Sequence, residues 1–305
     1  VDETQFVKNE STFRSGYVAL IGHPNVGKST LMNRILGEKL SIVTDRPQTT
    51  RNRILGIKTT DRYQALFLDT PGIHRPKHRL NEIMVKTALA TLEDADLVLL
   101  LVEPGRKSME ESEIVLDKLL DVSTPICLII NKIDKINKEG LLPLINGYRE
   151  KISFREIVPI SALNGDGVDR LEEIIADSLP SGPPYFPEDS LTDVSQRFMI
   201  AEMIREKIIL QTQKEIPYSV AVMVEKARKR STGNLTDVEA TIYVEKDSQK
   251  GILIGKGGKM LKEIGSLVRP EVEALLDSKV FLRLWVKVRK DWRSHMRMLR
   301  ELGFE

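Results

Sequence analysis

Residues Gly22, His23, Pro24, Asn25, Val26, Gly27, Lys28, Ser29 and Thr30 follow the apolar run YVALI and lead into KSTLMNRIL. Glycine, four residues, then Gly-Lys-Ser is the spacing of a phosphate-binding loop between a strand and a helix. The glycines let backbone N–H groups curl around phosphate oxygens, and the helix N-terminus adds a positive dipole end. Lys28 can reach the β- and γ-phosphates, and the Ser29 hydroxyl can ligate Mg²⁺. Asp69, Thr70, Pro71 and Gly72 end a second apolar run, YQALFL. Asp69 is placed to hold Mg²⁺ through a water, and the Gly72 N–H to approach the γ-phosphate.

A third element decides the base. Asn131, Lys132, Ile133 and Asp134 close the run PICLII. A carboxylate at Asp134 accepts two hydrogen bonds from the N1–H and 2-amino group of guanine. Adenine lacks that pair and would leave the acid unpartnered. Asn131 can bond the base and tie it to the phosphate loop, while the Lys132 stem lies over the ring. Ser161, Ala162 and Leu163 end the next run and offer backbone N–H groups to the guanine O6. The loop SIVTDRPQTTRNR between the first two motifs should carry a threonine that closes on Mg²⁺ and the γ-phosphate. Thr50 is the first choice and Thr49 the alternative. Lys28, Thr50, Gly72 and Asn25 are the residues expected at the reacting phosphate.

A second glycine loop, GILIGKGGKM over 251–260, fails the phosphate-loop spacing and has no Ser or Thr after Lys259. Gly255-Lys256-Gly257-Gly258 instead reads as a GxxG turn between two helical segments, where bare backbone clamps a single-stranded sugar-phosphate chain. Ile252 and Ile254 would floor the groove, and Lys256 and Lys259 would meet phosphates. Arg283 and Lys287, on the alternating run KVFLRLWVKVRK, are further RNA candidates.

These loops need scaffolds. The front half alternates strand-like runs (YVALIG, YQALFLDT, ADLVLLLVE, PICLIINK, EIVPISA) with amphipathic segments. That pattern predicts an α/β domain, a doubly wound and mostly parallel sheet whose ligand sits at the strands' carboxyl ends. The Pro-rich stretch LPSGPPYFPED reads as a linker, because proline fixes φ and removes a donor. Beyond it the order is helix, two strands, helix–GxxG–helix, strand, helix: an α+β domain with a small sheet and helices on one face. Pro270 is expected to end the helix after the GxxG turn. The divisions are a flexible polar leader over 1–15, a nucleotide domain over 16–179, a linker over 180–190 and an RNA-binding domain over 191–305 that closes on a basic helix.

Composition narrows the class. The 305 residues carry 46 Lys and Arg against 44 Asp and Glu, a near-neutral total that hides an asymmetry. Residues 279–300 hold eight bases and a single acid, Asp291. No apolar run approaches the roughly 20 residues that span a bilayer. The lone Cys127, inside TPICLII, reads as a core residue in a reducing compartment, which argues against cysteine-based RNA modification chemistry. The four histidines lack ligand spacing, so no metal beyond nucleotide Mg²⁺ is expected.

Taken with those motifs, GHPNVGKS, DTPG, NKID and SAL resemble the translation-factor class of GTPases. Relatives with a glutamine after DxxG use it to orient water; the residue here is Ile73. Asn25 resembles an asparagine that helps some of these GTPases hold K⁺. Joined to a KH domain of prokaryotic type, the set resembles the bacterial Era GTPase family, with QTTRNRILGI, FLDTPGIH, PISALNGDGVDRL and LKEIG also fitting. The resemblance implies slow GTP hydrolysis with bound GTP or GDP, Mg²⁺ and K⁺. It implies binding near the 3′ end of 16S ribosomal RNA and a role in assembly of the small ribosomal subunit. It also implies some peripheral membrane contact. The lone cysteine fits a cytoplasmic protein, and a monomer is expected. The implied switch has GTP ordering the loops at 41–53 and 69–80 and so altering how the KH face is presented. A passive RNA-binding module is the rival, opposed by intact Lys28, Ser29, Asp69 and Asp134.

Overall fold

The computed structural model describes residues 13–304 except Thr232. Most of the polar leader, residues 1–12, lies outside the described residues. The chain forms two compact units, each with its own sheet. The first takes in residues 13–41, 50–75 and 84–193; the second takes in 42–49, 76–83 and 194–304.

The first unit is built on six strands: β1 Arg14–Gly22, β2 Ile54–Thr59, β3 Tyr63–Asp69, β4 Leu97–Val102, β5 Ile126–Ile130 and β6 Glu156–Pro159, in the spatial order β2-β3-β1-β4-β5-β6. All neighbours are parallel except β2 with β3. β4 and β5 are buried along their whole length. Near-continuous apolar strands therefore mark a sheet covered on both faces. The helices are α1 Lys28–Leu36, α2 Arg79–Asp94, α3 Arg106–Leu119, α4 Leu141–Arg149 and α5 Val168–Ser178. Ala88 and Leu92 of α2, Val115 and Leu119 of α3 and Tyr148 of α4 pack with Ala19, Ile21, Val98 and Leu100. On the other face α1 and α5 lie against β3. Cys127 sits in this core, fully buried, and burial pushes its thiol up to about 11, as an inert structural residue requires.

Three expectations need correction here. β2 is not among the strand-like runs of the sequence, because ILGIKT is short and interrupted by Gly56. That glycine is required by packing: a Cβ there would come 2.6 Å from Leu36 of α1. The leader is shorter than 1–15, since Phe13 is buried and β1 begins at Arg14. The Pro-rich stretch is strapped to the first unit. Gln64, buried in β3, accepts from the N–H groups of Tyr185 and Phe186 at 2.7 and 2.9 Å and donates to the Phe186 carbonyl at 2.9 Å. Phe186 packs on the cluster of Leu55, Ile57, Leu66 and Leu68, and the Leu191 carbonyl accepts from the Ile57 N–H.

The second unit has three strands, β7 Ala221–Lys229, β8 Leu235–Val244 and β9 Lys279–Val288. β7 pairs antiparallel and β9 parallel with the central β8. α6 Gln196–Gln211 and α9 Lys259–Leu276 cover one face through Ile200, Ile204, Ile208, Ile264, Val268 and Val272. α7 Ile216–Ser219, α8 Asp247–Ile254 and α10 Met296–Glu301 complete it. Segment 42–49 is tied to α6: buried Arg205 donates to the Thr49 carbonyl at 2.5 Å, and Glu206 accepts from the Val43 N–H at 3.2 Å. Pro270 lies inside α9 rather than ending it. The apolar period 264, 268, 272 runs straight through, and Pro270 is on the exposed side, where water can serve the freed carbonyl. The expected basic closing helix is only Met296–Glu301, after a single tight turn at Trp292–Ser294. Trp292 is fully buried and donates to the Ser219 carbonyl at 2.8 Å.

Candidate nucleotide and nucleic-acid sites

The phosphate loop joins β1 to α1. Gly27 stands before α1 at φ 102° with no side-chain cap, so the first N–H groups of the helix stay available to an anion. A Cβ on Gly27 would lie 2.2 Å from Asn131 Nδ2, so only glycine lets the phosphate loop and the base motif meet. Lys28 is almost fully buried and donates to the carbonyls of Gly22 and His23, each at 3.1 Å. Burial pushes its ammonium down to about 8, against the pull of Asp69. Asp69 is held above the usual carboxylate range by burial, opposed by the Ser29 hydroxyl and Lys28. A buried acid and a buried base, each pushed toward neutrality, mark a site built for further charge.

Ser29 Oγ donates to Asp69 Oδ2 at 2.6 Å and lies 2.9 Å from Thr50 Oγ1. The second carboxylate oxygen of Asp69 is buried and makes no hydrogen bond of ordinary geometry, although the buried Ser41 hydroxyl lies near enough to favour the charged acid. Three oxygen donors on three segments, one of them without an ordinary hydrogen bond, fit a hard divalent cation. Thr49 turns away: its hydroxyl donates to the Arg46 carbonyl and meets Thr44 Oγ1, both at 2.6 Å. Thr50 thus stands with Ser29 and Asp69.

At Asp69-Thr70-Pro71-Gly72 the Thr70 hydroxyl donates to the Leu20 carbonyl at 2.7 Å. A Cβ on Gly72 would lie 2.5 Å from the Pro24 nitrogen, so this turn presses directly on the phosphate loop. Ile73 donates its N–H to the Gly22 carbonyl at 3.2 Å and buries its side chain with Ala19 and Ile21. Its side chain therefore does not face the phosphates. Val26 and Thr70 are likewise buried, so these positions can meet a nucleotide through backbone alone.

The base motif is a closed network. Asn131 Nδ2 donates to the Val26 carbonyl at 2.7 Å, and its Oδ1 accepts from the Ala162 N–H at 2.9 Å. One side chain thus ties the phosphate loop to the SAL turn. Ser161 Oγ donates to Asp134 at 2.6 Å and fixes the carboxylate. Ile133 packs on the core, whereas Leu163 is exposed. Lys132 donates to the Asn25 carbonyl at 2.6 Å and is ion-paired with Glu103. Sequence reasoning missed two residues. Arg34 of α1 donates to the carbonyls of Ala162 and Leu163, and no local pattern signals it. Glu103 follows the last residue of β4, a strand end where α/β sites gather their residues.

In the second unit the GxxG loop joins α8 to α9. Gly255, Gly257 and Gly258 have φ of 72°, 60° and 79°. Nothing lies within 4 Å of a Cβ built at Gly257 or Gly258, so their backbone is open to a chain that docks on it. Lys256, Lys259 and Ile252 are exposed beside it, whereas Ile254 packs partly on the core. The structure does not bring Arg283 and Lys287 to this loop. They lie on the β9 face opposite α9, Arg283 ion-paired with Glu239 and Lys287 3.9 Å from Glu225. Phe281 and Trp285 share that face, and the Arg283 guanidinium lies 5.5 and 5.9 Å from their ring centres.

Residues 17–132 match a family described as 50S ribosome-binding GTPase, and residues 215–293 match the KH domain. The GTPase Era of Geobacter metallireducens is 54% identical over 296 residues, covering 97% of this chain and 99% of the relative. That of Syntrophus aciditrophicus is 53% identical over 292 residues, covering 96% and 95%. A crystal structure of Era in complex with MgGDPNP and nucleotides 1506–1542 of 16S ribosomal RNA superposes with a TM-score of 0.91 at 42% identity, covering 96% and 99%. Aquifex aeolicus Era Y63A bound to GDP·AlF4⁻ gives 0.90 at 41%, with the same coverage.

Proposed function

Since this chain belongs to the Era family of GTPases, we propose that it is a GTP-hydrolysing switch that holds 16S ribosomal RNA near its 3′ end and acts in small-subunit assembly. The observation that carries the hydrolytic part is the convergence of Ser29, Thr50 and the buried Asp69 beside buried Lys28. Ser29 and Thr50 would hold Mg²⁺ directly and Asp69 through a water. Held there, Mg²⁺ would supply positive charge against the phosphate oxygens as the bond breaks. Lys28, held between two carbonyls, exchanges them for phosphate oxygens. The Gly72 N–H and the α1 N-terminus stabilise the charge that grows on the γ-phosphate. Asn131, Asp134 and the SAL turn fix the guanine and so hold the γ-phosphate in register.

Because the Ile73 side chain is locked in the core, water must be oriented by backbone and by charge. We take Asn25, exposed on the phosphate loop, as a ligand for K⁺ at the phosphates. Turnover should therefore be several-fold faster in KCl than in NaCl at equal ionic strength. Equal rates would remove the ion from the mechanism.

For RNA, the open GxxG backbone with Lys256 and Lys259 supports a clamp on the sugar-phosphate chain. Arg283 and Lys287, held by acids on the other sheet face, are secondary contacts in this reading. No helix among the described residues is long and apolar enough to cross a membrane. A cytoplasmic monomer with peripheral membrane contact is the accompanying proposal.

A further inference from the structure

Glu103 is absent from every motif, yet it sits at the junction of two of them. It follows β4, and its carboxylate is ion-paired with the Lys132 ammonium. The same ammonium donates to the Asn25 carbonyl at 2.6 Å. Asn25 and Lys132 are both non-glycine residues in the left-handed region, at φ 68° and 64°. Such a conformation is strained for a residue with a Cβ and persists only where the surroundings hold it. The Lys132 side chain thus bonds the backbone of the other of these two residues.

The bond depends on where the Lys132 side chain points. Lysine has a flexible four-carbon stem and loses rotamer entropy when fixed. An ammonium has three donors, and a single carbonyl does not fix it. Glu103 supplies a second, charged acceptor, so the ammonium is held at two points. An ammonium held at two points restricts the stem, whose apolar surface would lie beneath a purine.

We infer that Glu103 is a positioning residue for guanine-nucleotide binding, acting through Lys132 on the purine platform and on the phosphate loop at Asn25. It touches neither nucleotide nor reacting atoms, so its effect is on nucleotide retention. This rests on the reading of the first unit as a guanine-nucleotide site. The Lys132 and Glu103 side chains are 25% and 34% exposed, so the pair is screened and its effect moderate.

The test is the dissociation rate of a fluorescent GDP from the full chain. Glu103→Gln, which keeps the shape and removes the charge, should speed release about fivefold. Glu103→Asp, which keeps the charge on a shorter arm, should lie between Gln and the parent protein. In a Lys132→Ala background Glu103→Gln should add nothing, since the group it acts through is gone. The gap between parent and Gln variant should shrink as salt is raised. An unchanged rate in Glu103→Gln overturns the inference, as does a full effect in the Lys132→Ala background or an Asp variant worse than Gln. If the parent protein itself fails to bind GDP, the underlying reading of the site fails instead.

Discussion

Replacing Asp134 with asparagine should exchange one purine for another. The carboxylate is held by the Ser161 hydroxyl at 2.6 Å and presents acceptors to the pocket. Guanine meets it with two donors. An amide presents a donor to one of them, so one hydrogen bond is lost and a repulsive contact takes its place. Hydrogen bonds to a charged group contribute about 1.5–3 kcal/mol each. Asp134 is exposed, so water recovers part of that, and the expected loss in GTP affinity is on the order of 10²- to 10³-fold. Xanthosine triphosphate carries a carbonyl where guanine has its 2-amino group, and it should bind the variant better than GTP does. Competition against fluorescent GDP measures both. A variant that keeps its GTP preference would mean that the base is read elsewhere.

The second large effect is expected at Gly257→Asp. The position is at φ 60°, a region that aspartate tolerates better than most residues, and nothing lies within 4 Å of the new Cβ. The fold should therefore accept the substitution. A side chain there stands where a sugar-phosphate chain must approach the backbone, and its charge opposes the phosphates. RNA affinity should fall by about two orders of magnitude at 0.1 M salt. The readout is anisotropy of a labelled oligonucleotide from the 3′ end of 16S ribosomal RNA. GDP binding by the same variant should match the parent. Retained RNA affinity would count against the clamp.

Much of the local structure was legible in the sequence, because the motifs are loops fixed by backbone and a few side chains. Gly27 stands before α1 and Asp69 ends β3, as their spacing suggests, and the run KVFLRLWVKV alternates as it reads. Other features depended on long-range contacts. The side chain of Ile73 belongs to the core because its N–H is bonded to Gly22, which no local pattern encodes. The β8–β9 register sets Arg283 beside Glu239, a pairing that the run KVFLRLWVKVRK alone does not encode. The linker composition correctly excluded regular structure there. It did not show that Gln64, a polar residue inside the apolar strand YQALFL, would gather the linker's backbone groups. That glutamine was the visible anomaly. Pro270 shows the converse, since an exposed proline in a strongly amphipathic helix is tolerated where a buried one is not.

Phosphate release tests most directly whether the front unit is a guanine-specific hydrolase. The purified chain, in Mg²⁺ and K⁺, is given GTP or ATP at equal concentration and free phosphate is followed over many turnovers. Slow, sustained release from GTP with none above background from ATP is the predicted result. Equal release from both nucleotides, or none from GTP, would contradict it.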